Sequence, residues 1–99
     1  MDNKIKIKKI LLIINRLLAD MERDNPDGEI PIEKDFYWVV GIEDMFNVLD
    51  APTNLHVGQL FEDVENLNKL KLNQLNIYDL IKVSAILNYL YLYQIDKNK

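Results

Sequence analysis

The sequence predicts a mainly α-helical fold, arranged as one small domain over residues 1–99 and built as a bundle of about four helices. Apolar residues recur at helical spacing in four separate segments, which is the main signal. Apolar residues also make up 48% of the chain, while glycine and proline number only three each. With 99 residues and no cysteine, the chain must draw its stability from its own core rather than from disulfides.

The first segment predicts an amphipathic helix over about residues 4–23, followed by a turn. Its apolar face is formed by residues spaced three and four apart, namely Ile7, Ile10, Leu11, Ile14, Leu18 and Met21. Lys4 and Lys6 oppose the helix dipole, so we expect the first turn to fray; a short strand over 4–7 is the alternative. The run Asn25 to Gly28 predicts a type I turn.

The region around residues 30–40 is expected to be extended. Pro31 disfavours helix at Ile30, and the run Phe36–Val40 has strand composition and ends at Gly41. A short β-hairpin and an ordered extended segment both fit this region.

Two further helices are predicted in the middle of the chain. The first is a two-turn helix over 42–49, which Pro52 closes. The second is an apolar stripe running from Val57 to Leu70, with Thr53 or Asn54 as a candidate cap.

The last helix is predicted over 77–95, with Asn76 as its N-cap. Its apolar residues lie nearly all round the helix. Such a helix is buried at the centre of a bundle or covered by a second subunit. A homodimer through residues 77–95 is therefore one expectation.

Charge is segregated along the chain, although the total is only −4. Residues 1–19 carry five cations against one acid, a net charge of +4. Residues 20–65 carry thirteen acids against two cations, a net charge of −11, and residues 66–99 return to +3. The acidic middle would repel nucleic acid and speed association with basic proteins, by about 10–10³-fold through electrostatic steering.

The residues needed for catalysis or for a cofactor are scarce. Ser84 and His56 are the only serine and histidine, and neither lies in a motif that would activate a nucleophile. Asp20, Glu22 and Asp24 have the spacing that opens a calcium loop, but the later glycine and glutamate of that motif are missing. We expect no enzyme activity and no cofactor or metal.

Several classes of partner and location are also excluded. No glycine-rich phosphate loop and no basic recognition helix is present. The apolar run that begins at Ile10 lasts only five residues, too short for a membrane span. We therefore expect no direct nucleic-acid or membrane binding, and a cytoplasmic protein. Asn, Ile and Lys fill a third of the chain, which indicates an AT-rich, bacterial genome.

Adjacent aromatic residues give the most specific hypothesis. Neighbours on a strand or a helix point in different directions, so at least one of Phe36, Tyr37 and Trp38 should be exposed. One interpretation packs two of them inward; the other makes Tyr37 or Trp38 an anchor for a partner. The candidate partner-binding residues are Tyr37, Trp38, Glu43, Asp44, Asp50, Glu62 and Asp63.

A spaced pattern covers roughly residues 35–67. It reads Asp35-x-Tyr37-Trp38, then Pro52-x-x-Leu55-x-x-Gly58-Gln59-Leu60-x-x-Asp63-x-x-x-Leu67. It resembles a pattern in small uncharacterised bacterial proteins. The resemblance implies a shared helical fold and no activity, and it directs attention to Trp38, Gly58 and Asp63. Gly58 would allow a close backbone approach, and Asp63 would pair with or cap a neighbouring element.

These features together predict a non-enzymatic acidic module that binds a basic protein. A toxin-immunity protein or an inhibitor of a nucleic-acid enzyme would fit the size and charge. The alternative is a homo-oligomeric scaffold or accessory subunit that assembles through the C-terminal helix.

Overall fold

A computed structural model describes residues 3–97, and the chain divides into two compact units, Met1–Pro31 and Ile32–Lys99. Four α-helices and a small two-stranded antiparallel sheet lie within the described residues, and about 61% of those residues are helical. The prediction of a mainly α fold is therefore confirmed. The arrangement of the helices as one bundle, and as one domain, stays a prediction.

The first unit consists of helix α1, Ile7–Asp24, and the turn that ends it. Residues 4–6 form neither helix nor strand, so the helix begins three residues after the predicted start at about residue 4, and the alternative of a short strand over 4–7 was wrong. No side chain caps its N-terminus and no acidic residue lies in its first turn. At the other end, Asn25 is buried, and its side-chain amide donates to the carbonyl oxygen of Met21 at 2.8 Å.

The turn after α1 differs from the predicted type. The Gly28 amide donates to the Asn25 carbonyl at 3.0 Å, which closes the turn. Asp27, however, has φ 58° and Gly28 has φ 66°. A type I turn needs φ near −90° at the Asp27 position, so the type I prediction was wrong. Aspartate is one of the few residues with a side chain that adopt this left-handed conformation readily.

The second unit contains the sheet, formed by β1, Phe36–Val40, and β2, Leu55–Gln59. The two strands are antiparallel, with Phe36 opposite Gln59 and Val40 opposite Leu55. The predicted strand at 36–40 is thus present. Its partner lies outside the 30–40 region, because residues 41–54 intervene and contain the one-turn helix α2, Ile42–Met45. The expected second turn of that helix did not form.

Helix α3, Leu60–Asn68, follows β2 without a loop. The apolar stripe predicted a helix from Val57, and this start was wrong because Val57 pairs with Trp38 in the sheet. Thr53 and Asn54 do not cap α3 as expected; they precede β2. Val57 has helical spacing to Leu60 and Phe61, but its pairing with Trp38 in the sheet determines its structure.

Helix α4, Leu80–Lys97, packs against α3. A 3₁₀ turn, Ile77–Asp79, leads into it, so the α-helix begins three residues after the predicted start at 77. Asn76 caps this turn rather than α4 itself: its side chain accepts from the Tyr78 amide at 2.9 Å. Leu60 and Tyr89 are the buried apolar residues of this unit, and the Tyr89 hydroxyl accepts from the Glu33 amide at 2.8 Å. No helix among residues 3–97 is both long and apolar enough to cross a membrane.

Candidate functional site

The hydrogen-bond pattern of the sheet shows which backbone groups of β1 point towards β2 and which point away from it. The Leu60 amide donates to the Asp35 carbonyl at 2.8 Å, and the Gly41 amide donates to the Asn54 carbonyl at 3.0 Å. Hydrogen-bonded pairs alternate along an antiparallel ladder. Tyr37 and Val39 therefore direct their backbone groups at β2, whereas Phe36, Trp38 and Val40 direct theirs away from it.

The side chains alternate in the same register, so the sheet has two distinct faces. We call one the tyrosine face; it carries Tyr37, Val39, His56 and Gly58. We call the other the tryptophan face; it carries Phe36, Trp38, Val40, Leu55, Val57 and Gln59. The backbone groups that point away from β2 along β1 belong to the same residues whose side chains form the tryptophan face.

The tyrosine face is held by one close contact and one hydrogen bond. The Tyr37 ring lies directly over Gly58, where an added Cβ would sit only 2.5 Å from the Tyr37 Cζ. Real Cβ atoms do not approach that closely, so any side chain at this position would force the ring or the strand to shift. The Tyr37 hydroxyl donates to Oδ2 of Asp63 on α3 at 2.5 Å. Gly58 and Asp63 thus fill the roles expected of them from the sequence.

This environment changes the acidity of the phenol. Burial, followed by the hydrogen bond and the charge of the Asp63 carboxylate, raises the pKa of Tyr37 to about 12. Tyr37 therefore stays protonated at neutral pH and acts as a donor to Asp63. Its chemistry is that of a fixed structural hydrogen bond, and not that of a general base.

Asp35 supplies the cap that the first residues of α3 lack locally. Its Oδ1 accepts from the Phe61 amide at 2.7 Å, and its backbone carbonyl accepts from the Leu60 amide. Gln59, the residue before the helix, makes no side-chain cap. Asp35 therefore satisfies two amides at the start of α3 from a position just before β1.

Asp44 plays a comparable part in the loop between the strands. Its Oδ2 accepts from the amides of Thr53 and Asn54, at 3.2 and 3.0 Å. Because the Gly41 amide bonds to Asn54 as well, these contacts hold the loop closed beside the sheet.

The seven predicted site residues therefore fall into two groups. Tyr37, Asp63 and Asp44 direct their polar atoms at groups of the chain itself. The others are exposed. Trp38 lies on the tryptophan face, Asp50 accepts from the side-chain amide of Asn47 at 3.4 Å, and Glu43 and Glu62 lie in the first turns of α2 and α3. The structure does not gather the seven into one cluster.

The sequence predicted only one residue of the tryptophan face, Trp38, as a site residue. Trp38 is 71% exposed and Phe36 is 66% exposed, and about half of Leu55 and Val57 is accessible on the neighbouring strand. The interpretation in which two of the three aromatics pack inward was wrong, since only Tyr37 is half-buried. Phe36, Leu55 and Val57 were not predicted site residues, because their shared face depends on a strand pairing that no local pattern indicates.

Two other candidate sites are weaker. A cavity of about 270 Å³ is lined by residues that include Glu33, Lys34, Tyr93, Asp96 and Lys97. It is smaller than the roughly 300–1,000 Å³ of ordinary small-molecule pockets, and its lining carries both charge signs. Within residues 3–97, no group of three His, Asp or Glu side chains is placed to hold a metal ion, and this includes the calcium-like Asp20–Asp24 run.

Comparison of the chain with protein-family models, curated proteins and solved structures gives no match.

Proposed function

We propose that the chain is a non-enzymatic protein-binding module whose contact surface is the tryptophan face. The observation that carries this proposal is the contrast within β1. Tyr37 is locked into the chain by Gly58 and Asp63, whereas Phe36 and Trp38, on either side of it, lie largely in solvent.

The tryptophan face has the composition of a binding surface. Trp38 is paired with Val57 across the strands, and Val40 is paired with Leu55, so the apolar side chains adjoin one another. A contiguous exposed apolar patch is typical of interaction sites, and tryptophan is the residue type most enriched among the residues that dominate binding energy.

The free edge of β1 supports a protein as the partner rather than a small molecule. Phe36, Trp38 and Val40 direct their amides and carbonyls away from β2, and among the described residues none of these groups is bonded within the chain. The strand also lacks the charged residues and prolines that usually protect an edge. An extended segment of a partner could add to this edge by main-chain hydrogen bonds while its side chains contact Trp38.

The charge around the sheet supports a basic partner. Glu33 and Glu43 are exposed on the two sides of β1 in the sequence, and Asp50 and Glu62 add further exposed acids. The long-range field of an acidic segment raises the association rate with a cationic surface and disfavours nucleic acid. The specific function that we propose is that of a toxin-immunity protein or an inhibitor of a basic nucleic-acid enzyme.

The test is capture of a partner from the native host, with four immobilised full-length baits. These are the wild type, Trp38→Ala, Trp38→Ala combined with Glu43→Lys, and the control Tyr78→Ala, which removes an exposed aromatic outside the sheet. We expect a basic protein to bind the wild type and the control, to be lost with both Trp38 variants, and to elute as salt rises. Equal capture by all four baits would place the contact elsewhere and overturn the proposal.

A second candidate function is a homo-oligomeric scaffold that assembles through residues 77–95. The observation in its favour is that Ile81, Tyr91 and Ile95 are all partly exposed along α4. Ser84 and Asn88 lie between them at helical spacing and are exposed as well, so polar residues interrupt this stripe. A salt-insensitive dimer that Tyr91→Asp dissociates would favour the scaffold.

A further inference from the structure

Helix α1 presents an apolar stripe that is open to solvent along the first unit. Ile13 is 42% exposed and Leu17 is 54% exposed, and Ile10 precedes them at the same helical spacing. No residue of α1 is buried. An amphipathic helix obtains most of its stability from packing its apolar face. We therefore expect this 18-residue helix, whose stripe is exposed, to pack against another apolar surface.

The charges of α1 oppose its own dipole at both ends. Lys8 and Lys9 lie in the first turn, with Lys4 and Lys6 just before it, where the partial positive charge of the helix disfavours cations. The last five residues carry Asp20, Glu22 and Asp24 against Arg23, a net negative charge where anions are disfavoured.

Ion pairs within the helix offset only part of this. Asp20 contacts Arg16 at 3.3 Å and Arg23 at 3.4 Å, and Asp24 contacts Arg23 at 3.2 Å. All of these pairs are exposed, and exposed pairs contribute little. The lysines at the N-terminus have no corresponding acidic residue in the first turn.

We infer that α1 pairs in antiparallel orientation with α1 of a second copy of this chain. In that arrangement the basic end of each helix lies beside the acidic end of the other, and the two dipoles oppose. A two-fold axis near the middle of Ile7–Asp24 brings Ile13 of one copy against Leu17 of the other. It also brings Lys6 close to Asp24 of the other copy.

A parallel pair does not satisfy the same charges, since it places lysines against lysines and acids against acids. The complementarity is therefore self-complementarity of a single segment, as a two-fold symmetric interface requires. This inference goes beyond the proposed function, because it uses neither the tryptophan face nor its partner.

The orientation can be tested by charge reversal in the full-length chain, with association measured by sedimentation equilibrium from about 1 μM to about 1 mM. The N-reversed variant carries Lys6→Glu and Lys9→Glu, and the C-reversed variant carries Asp20→Lys and Asp24→Lys. These four residues lie on or beside the helix face that carries Ile13 and Leu17. We expect each to dimerise at least about tenfold more weakly than the wild type. The two variants mixed together, and the chain that carries all four changes, should recover dimerisation.

The matched control is Lys69→Glu with Lys71→Glu, which alters the net charge as the N-reversed variant does but lies outside α1. It should dimerise like the wild type. Circular dichroism of every variant verifies that the helices persist. Replacing Ile13 and Leu17 by serine should abolish the dimer, whereas Ile77→Ser, at an exposed position outside α1, should not.

Three outcomes would overturn the inference. The wild type could remain monomeric throughout the concentration range. The four-change chain could fail to recover dimerisation while its helicity is intact, which would contradict the antiparallel orientation. A dimer could persist in the Ile13→Ser, Leu17→Ser chain and be lost with Tyr91→Asp, which would assign the contact to α4. Loss of partner capture by Trp38→Ala with the dimer unchanged would separate this inference from the proposed function.

Discussion

The two faces of the same small sheet differ in how their residues are used. On the tyrosine face, one ring fits over a glycine and donates to a carboxylate on the next helix. On the tryptophan face, Phe36 and Trp38 lie largely in solvent. Exposed and half-buried residues therefore alternate from Phe36 to Val39 along a single strand. Substitutions on the first face should lower stability, and substitutions on the second should lower binding.

The largest expected loss of stability comes from Gly58→Ala on the tyrosine face. The added Cβ would lie 2.5 Å from Cζ of Tyr37, so the ring or the strand must move. Overpacking of this kind costs about 1–3 kcal/mol, measured as the free energy of unfolding in urea. The matched test is Gly58→Ala in a Tyr37→Ala background, where the added methyl group should cost little. An equal cost in both backgrounds would show that the ring is not the reason for the glycine.

The next loss is expected from Tyr37→Phe, which keeps the ring but removes the donor to Asp63. A hydrogen bond to a charged acceptor contributes about 1.5–3 kcal/mol, and the partial exposure of this one places it at the low end. Tyr78→Phe is the control, because that ring is largely exposed. Equal unfolding free energies for the two variants would contradict the role of the hydroxyl.

The dependence of stability on alkaline pH is a second test of the hydrogen bond between Tyr37 and Asp63. The pKa of Tyr37 is raised to about 12, above its ordinary value of 10.0, so the folded state holds its proton more tightly than the unfolded chain does. The stabilisation is complete below pH 10 and is lost as the pH rises from 10 towards 12. Unfolding in urea across this range should therefore show a decline that is smaller in Tyr37→Phe. An identical decline in both proteins would assign the alkaline loss to other groups.

The second unit also shows which parts of the fold a sequence can predict. The Asn76 cap was predictable because the cap and the amide it serves are two residues apart. The strand at 36–40 was predictable from β-branched and aromatic composition. The Asp35 cap was not, because it joins residues 26 positions apart and exists only once β1 has paired with β2.

The candidate site follows the same rule. A strand from Leu55 to Gln59 contains glycine and histidine and shares Val57 with a helical stripe, so its local pattern favours a helix start. The pairing that moves it into the sheet is a tertiary effect, and the tryptophan face appears only with that pairing. Within the 35–67 pattern, the fold places the Tyr37 ring over Gly58 and its hydroxyl against Asp63. The resemblance that the pattern carries stays a prediction.

A smaller loss is expected from removal of the non-local cap. Asp35→Ala takes away the acceptor for the Phe61 amide, and loss of an N-cap costs about 1 kcal/mol. Asp35→Asn keeps an oxygen at the same place and should retain most of the stability. The difference between the two variants in urea unfolding isolates the hydrogen bond from the side chain's bulk. Equal losses would mean that the charge, rather than the acceptor, holds the start of α3.

The smallest effect on stability is expected at the centre of the tryptophan face. Trp38→Thr keeps a β-branched residue in the strand and removes a side chain that is mostly in solvent, so the unfolding free energy should change by no more than about 0.5 kcal/mol. Capture of the partner should nevertheless be lost.

Because Trp38 is the sole tryptophan of the chain, its fluorescence in the wild type also reports the exposure of the tryptophan face directly. Emission should resemble that of a solvated indole in the free protein and shift to shorter wavelength when the partner binds. A blue-shifted emission in the free monomer, or a stability loss comparable to that of Gly58→Ala, would show that Trp38 packs within the chain and would remove the distinction between the two faces.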